Sequence, residues 1–278
     1  MYVDSHIHLS HRLYDDVVPC VSPGRDNGIK HYNRDELIEE LKKAGIGLVV
    51  EPAIDLESNY KLLELAERYG DFVFPAVGVH PTRTCSEKWN NRKIISELSS
   101  NSRVVAIGET GLDYNYERGK QHRFIQQLWF TYQLKLANRK CLPVILHIRD
   151  AHNDAMKILR RHKPIGGIVH CFNGNIDAAR FYLSIGLKLG IGASIFTNPD
   201  LESIIKNIPL DALVLETDGP YVKGNRPEGL SKKQWQKARN TSLIIPMQIA
   251  PKIAEIKDVS IIEVEEITTN TANKVFHF

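Results

Sequence analysis

Long apolar runs are missing from this chain. No stretch approaches the ~20 consecutive apolar residues that cross a bilayer, so a helical membrane protein is not expected. The N-terminus carries acidic and histidine residues within its first ten positions and lacks a basic-then-apolar leader. No secretory signal is expected, and the expected compartment is the cytoplasm. Cysteine is scarce. Cys20, Cys85, Cys141 and Cys171 form no Cys-x-x-Cys pair, which argues against a disulfide framework and for reduced thiols. An excess of one charge is also absent. A net charge of +3 is too mild to diagnose nucleic-acid binding and does not oppose an anionic substrate. There is no low-complexity tract and no repeat of short period.

What is present is a regular alternation. Apolar, β-branched runs occupy Val3-His6, Gly47-Glu51, Phe72-Val79, Val104-Glu109, Pro143-His147, Gly167-Cys171, Leu187-Ile191 and Ala212-Glu216. Amphipathic stretches lie between them, among them Arg34-Ala44, Asn59-Tyr69, Lys120-Arg139 and Asn153-His162. In Asn59-Tyr69, for example, Leu62, Leu63, Leu65, Ala66 and Tyr69 recur at helical spacing. A chain of 278 residues, 42% of them hydrophobic, suits one α/β domain over residues 1–278. Eight strands with helix-sized segments between them predict a (β/α)8 TIM barrel, with an open doubly wound sheet as the alternative.

The strands end in ionisable residues. His6 and His8 close the first, separated by one residue, so an extended backbone puts both on one face. His80 closes the third, Glu109 the fourth, His147 the fifth and His170 the sixth, and Asp218 follows the eighth. In a barrel these ends converge on the catalytic rim. Core strands have no reason to end in costly polar groups unless those groups share a partner. Taken singly, His147 and His170 read as buried histidines bonded to carbonyls, and Glu109 and Asp218 as helix caps. Cys171 neighbours His170 on a strand and is expected on the outer side.

Four imidazoles and two carboxylates are too many ligands for one catalytic metal with an open position, but suit two. One ion is assigned to His6, His8, Glu109 and Asp218, the other to Glu109, His147 and His170, with Glu109 bridging. Such a pair activates water and clamps both oxygens of a displacement at phosphorus. Asp218 is in addition the candidate acceptor for the proton of the attacking water. The mixed donor set admits Mg, Mn, Zn or Co. Asp4 is read as orienting the site from behind its ligands.

The ordered segments Asp4-Ser5-His6-Ile7-His8-Leu9, Gly78-Val79-His80-Pro81, Gly108-Glu109-Thr110-Gly111-Leu112-Asp113-Tyr114, His147-Ile148-Arg149-Asp150-Ala151, His170-Cys171-Phe172-Asn173-Gly174 and Glu216-Thr217-Asp218-Gly219-Pro220 carry a resemblance. So do Arg239-Asn240 and the tail from Ile253 to Phe276. Through them the chain resembles the TatD family of metal-dependent hydrolases, in the amidohydrolase-like barrel group, nearly end to end. The resemblance implies a divalent metal pair held by His6, His8, Glu109, His147, His170 and Asp218. It also implies deoxyribonuclease activity, often 3′-to-5′ on single strands, and places His80 near substrate phosphate. Ile148, Asn173 and Gly219 stand where many relatives have Ser. The segment at about 13–34, with Pro19, Cys20, Pro23, Gly24 and Gly28, is longer than usual for the family and reads as a loop bordering the site.

Arg149, Arg226 and Arg239 are the candidate substrate contacts beside His80. Arg149 meets either a phosphate or, by a forked pair, Asp113 or Asp150. The stretch Leu230-Arg239 is basic and carries Trp235, which either stacks on a base or packs inward. His122, His152 and His162 read as surface residues. The expected partner is DNA, single-stranded. The alternative reaction is hydrolysis of an ester or amide, including deacylation of D-aminoacyl-tRNA. A third reading is a non-enzymatic subunit of a larger assembly.

Overall fold

The computed structural model describes residues 1–21, 29–115, 119–226, 231–239 and 241–278. Pro23, Gly24, Gly28, Pro227, Leu230 and Asn240, singled out above, lie outside the described residues. Eight parallel strands form one sheet in chain order: β1 (Tyr2–Asp4), β2 (Ile46–Pro52), β3 (Val73–Val77), β4 (Ala106–Asp113), β5 (Val144–Arg149), β6 (Gly167–His170), β7 (Leu187–Ile191) and β8 (Leu213–Leu215). The last strand returns to the first. The Ser5 N–H donates to the Leu215 carbonyl at 2.9 Å, Asp218 N–H to His6 at 2.9 Å and His8 N–H to Gly219 at 2.8 Å. The expected (β/α)8 barrel is therefore the observed one. Among the described residues no helix is long and apolar enough to cross a membrane.

Helices sit where the periodicity places them: Arg34–Lys43, Leu56–Arg68, Lys120–Lys140 and His152–Arg161. Local chemistry sets their starts. Asn33 with Glu36, and Asp55 with Ser58, form reciprocal caps that satisfy backbone N–H groups of the first turn. Lys120–Lys140 carries two polar anchors on its buried side. Gln126 bonds the backbone N–H and carbonyl of Asp113, at 2.8 and 3.0 Å. Gln133, two turns on, does the same for Val79. The helix thus pins the ends of β3 and β4, where site residues emerge.

Inside the barrel, Val3, Val50, Ala76, Ala106, Ile145, Ile168 and Val214 form an apolar layer, one residue from each of seven strands. Ala272 and Phe276 of the helix Ile261–Phe276 close it. Two residues further along their strands, on the same side, come His147, His170 and Glu216. The polar rim therefore stands directly on a dry floor.

Three expectations about the backbone are corrected. The strand expected to stop at Glu109 runs on to Asp113. Its register shifts between Ile107 and Thr110, so Glu109 lies within the irregularity, not at the end. Gly111, at φ 143°, lets β4 and β5 close up, because a Cβ there would lie 2.0 Å from the His147 carbonyl oxygen. The segment at 13–34 is not only loop. Val18–Val21 and Ile29–Tyr32 pair as an antiparallel hairpin. Its Cys20 is buried and bridges to Arg239. Cys171 is not an outward strand residue either. The backbone turns left-handed there, at φ 45°, and the half-buried thiol is pushed well up by burial, and further by Glu216, Asp218 and Glu109.

Candidate metal centre

His6 and His8 flank Ile7 on extended backbone, and their Nε2 atoms lie 3.3 Å apart. Asp218, also left-handed at φ 49°, brings Oδ1 to 3.7 Å from His6 Nε2 and 3.5 Å from His8 Nε2. Glu109 faces the same two nitrogens, with Oε2 3.6 Å from His6 and Oε1 3.5 Å from His8. The same Oε2 lies 3.2 Å from His170 Nε2 and 3.6 Å from His147 Nδ1. His147 Nδ1 and His170 Nε2 are 3.2 Å apart. All six residues expected to ligate are thus brought together, with Glu109 between two groups.

His80 joins them. Its Nε2 is 3.8 Å from Glu109 Oε2, so His80, Glu109 and His147 make a further group that could hold an ion. However, its Nδ1 accepts the Thr82 N–H at 3.2 Å. A neutral ring with Nδ1 as acceptor carries its proton on Nε2, and so presents a donor to the cluster. Burial pushes His80 down to about 3, with the neighbouring His147 adding to it, which keeps the ring neutral.

The donor set fits a divalent metal. Nitrogen and oxygen ligands of a tetrahedral ion with bonds of 2.0–2.1 Å stand about 3.3–3.4 Å apart, close to the separations seen here. The carboxylates make the cluster attractive to a cation: against burial, Asp218 and Glu109 lift His8, and Glu109 and Glu216 lift His170. Glu109 is held well below the usual carboxylate range: burial opposes the charge, but His6, His80 and His170 outweigh it. His6 is pushed down by burial and by the stacked His170 ring, centroids 3.8 Å apart. His147 goes the other way. Burial opposes its charge, yet hydrogen bonds to Asp113 and Glu109 lift it to about 9. Its Nε2 keeps one proton, 3.0 Å from Asp113 Oδ2; raised this far, the metal-free ring carries a second on Nδ1 facing Glu109, which a metal at that nitrogen would displace.

Behind this set are carboxylates whose roles were not foreseen. Glu216 is fully buried, accepts the Cys171 N–H and lies 3.7 Å from His170 Nδ1. Glu51 accepts the Ser10 N–H at 2.5 Å under the first loop. Burial pushes both carboxyls up. Asp4, placed behind the ligands as expected, accepts from the backbone of His6 and Thr217 and from the hydroxyls of Thr217 and Ser242, at 2.6–3.2 Å.

A cleft of about 400 Å³ opens over Glu109, with His80, Arg83, Arg149 and Tyr221 on its walls. Arg149 is exposed there, and the forked pair with Asp113 or Asp150 is not formed: Asp113 holds His147 and Asn115, and Asp150 holds Asn115. Arg226 and Arg239 do not line this cleft. Arg226 is exposed, and Arg239 donates its backbone N–H to Pro19 beside the hairpin. Trp235 packs partly into the core under Lys223, whose ammonium lies 5.4 Å over its ring. The aromatic at the cleft is Tyr221, which sequence reasoning passed over. His152 is half-buried, between Tyr182 and Asn173, not on the surface.

A parallel barrel with histidines and carboxylates gathered at its C-terminal rim defines a metal-dependent hydrolase. Residues 3–277 match the family of TatD-related DNases. The chain belongs to the TatD family and is a hydrolytic enzyme of it. It is 32% identical over 280 residues to the metal-dependent hydrolase YabD of Bacillus subtilis, covering 99% of each chain. It is 32% identical over 252 residues to the 3′-5′ ssDNA/RNA exonuclease TatD of a Rahnella species, covering 88% of this chain and 92% of that one. The crystal structure of the TatD homologue YjjV from Escherichia coli superposes with a TM-score of 0.80 at 27% identity, over 100% of this chain and 98% of that one.

Proposed function

We propose that this enzyme hydrolyses phosphodiester bonds of single-stranded DNA from the 3′ end, with two divalent ions per chain. The observation that carries this reading is Glu109. Its carboxylate stands between His8 on Oε1, at 3.5 Å, and His6, His147 and His170 around Oε2, at 3.2–3.6 Å, beneath an open cleft with His80, Arg83 and Arg149 on its walls. A bound metal pair would supply Lewis acidity to water and phosphate oxygens. His6, His8 and Asp218 would hold one ion, His147 and His170 the other, and Glu109 both; Mg, Mn and Zn all suit these donors.

The remaining work falls to the chain's own groups. His80 donates from Nε2 and Arg149 from its guanidinium toward a phosphate in the cleft, which orients it. Asp218, with Oδ1 turned to the two histidines, takes the proton of the attacking water on its other oxygen. Asp113 keeps the His147 proton on Nε2, away from the ligand lone pair.

The test is a time course on 5′-labelled single-stranded DNA with added Mg or Mn. The wild-type protein is expected to shorten the strand from its 3′ end, and Glu109→Ala to lose at least a thousandfold of that rate, since both groups lose a ligand. Intact DNA with protein shown to carry two metals would overturn the reading and move esters, amides and aminoacyl-tRNA to the front.

A further inference from the structure

Two hollows meet above the centre. Beside the cleft over Glu109 lies a second one of about 200 Å³, with Ser10, His11, Arg12 and Lys61 on its outer wall. His8, Ile54, Arg83 and Tyr221 line both, so the two are lobes of one groove. Tyr221 stands at the join. Its backbone N–H donates to the Asp218 carbonyl at 2.9 Å, which holds its main chain beside the candidate ligands. It meets His8 and His11 edge-on, with centroids 5.2 and 5.4 Å away and planes at 71° and 90°. Even so, the residue is 50% exposed. A large ring braced by two imidazoles and left half uncovered is shaped for a transient partner. The outer lobe carries three cations beside the carboxylates of Asp55 and Glu57. Lys61 is engaged with Glu57 at 2.6 Å and Arg83 lies 4.0 Å from Asp55, while Arg12 is exposed and makes no ion pair among the described residues.

We propose that Tyr221 is a base-stacking wedge between two nucleotide subsites. The scissile phosphodiester lies in the inner lobe, the neighbouring base stacks on Tyr221, and the next phosphate is met by Arg12 and Arg83 in the outer lobe. The proposal rests on the nuclease reading and adds what the site recognises: two consecutive nucleotides with one base free of a helix. Stacking is tolerant of sequence because every base has a π-face, but it requires an unpaired base, so the wedge selects single strands.

Steady-state kinetics on single-stranded oligonucleotides test it, with wild type, Tyr221→Ala and Tyr221→Phe. Three substrates are used: the intact strand, one lacking the terminal base and one lacking the penultimate base. On the intact strand Tyr221→Ala is expected to raise KM about tenfold with kcat within twofold, and Tyr221→Phe to match wild type. On one of the two base-less strands the wild-type KM itself rises about tenfold, and Tyr221→Ala adds nothing further. A Tyr221→Ala penalty that persists on both base-less strands, or that falls on kcat, overturns the wedge. So does a Tyr221→Phe defect equal to that of Tyr221→Ala, which would assign the effect to the hydroxyl. If wild type cuts all strands and Tyr221→Ala is silent, the wedge alone falls. If metal-loaded wild type cuts none, the nuclease reading falls and takes the wedge with it. Tyr221 is half exposed, so unchanged thermal unfolding of both variants is the control for folding.

Discussion

The two halves of the centre gather the same kinds of atom by different means. At the β1–β8 seam, His6 and His8 are placed by backbone. Main-chain bonds from Ser5, His8 and Asp218 close the barrel there, and the Asp4 carboxylate draws in four donors from three segments of chain. The ring of His6 is left alone behind: its Nδ1 is buried without a hydrogen-bond partner. On the β4–β6 side one ring is held, His147 by a hydrogen bond to Asp113, while His170 has the Glu216 carboxylate 3.7 Å from its Nδ1 and, like His6, makes no hydrogen bond there among the described residues. A ligand placed by closure of the fold is lost with the fold. A ligand oriented by a neighbouring carboxylate can be weakened while the fold stands.

Removing the supports one at a time separates the two. Asp4→Ala strips four buried donors of their acceptor, and is expected to cost about 2–4 kcal/mol. That is a fall in Tm of roughly 5–15 °C for a chain of this size, visible by circular dichroism in the metal-free protein. An unchanged Tm would show that the seam does not depend on Asp4. Asp113→Asn acts on the other half. It preserves shape but gives up the charge opposite the His147 N–H, so with the proposed metal pair one of the two binding steps should weaken by about tenfold while Tm barely moves. Calorimetric titration with Mn resolves the steps, and equal weakening of both would erase the distinction drawn here. Glu216→Gln is the gentlest. The amide oxygen still accepts the Cys171 N–H, and only the charge beside His170 goes. A loss of about threefold in the same binding step is expected, and a loss larger than that of Asp113→Asn would reverse their order.

The barrel was legible because its evidence is redundant: eight apolar runs, each seated between helical patterns, tolerate errors in any one of them. Their ends were not. Glu109 was read as the last residue of its strand, whereas a register shift carries β4 on to Asp113, and apolar alternation carries no sign of such a shift. The gathering of His6, His8, Glu109, His147, His170 and Asp218 was legible for the same reason as the barrel, since each was read at or just beyond the C-terminal end of an apolar run on a shared rim. Of their supports only Asp4 was read, because Glu51 and Glu216 also follow apolar runs and spacing does not say where a carboxylate turns. One bends under the first loop to Ser10, and the other crosses to Cys171 and His170. The same limit explains Trp235 and Tyr221. The larger ring in the basic stretch drew attention, but Lys223 covers it and the core takes one side. The ring at the cleft lies three residues beyond Asp218, where only the path of the loop reveals it.

The seam also orders events in time. Ser5, Asp4 and the histidines beside them find their partners at Leu215, Thr217 and Ser242, which are 210 to 238 positions further along. A ribosome makes the histidine pair first and its partners long afterwards. Contacts so distant in sequence need both ends of the chain to exist and carry a large closure entropy, and here they complete the site. A growing or truncated chain therefore carries His6 and His8 with nothing to act against. A hydrolase closed in this way has an unfinished site until its last strand is made.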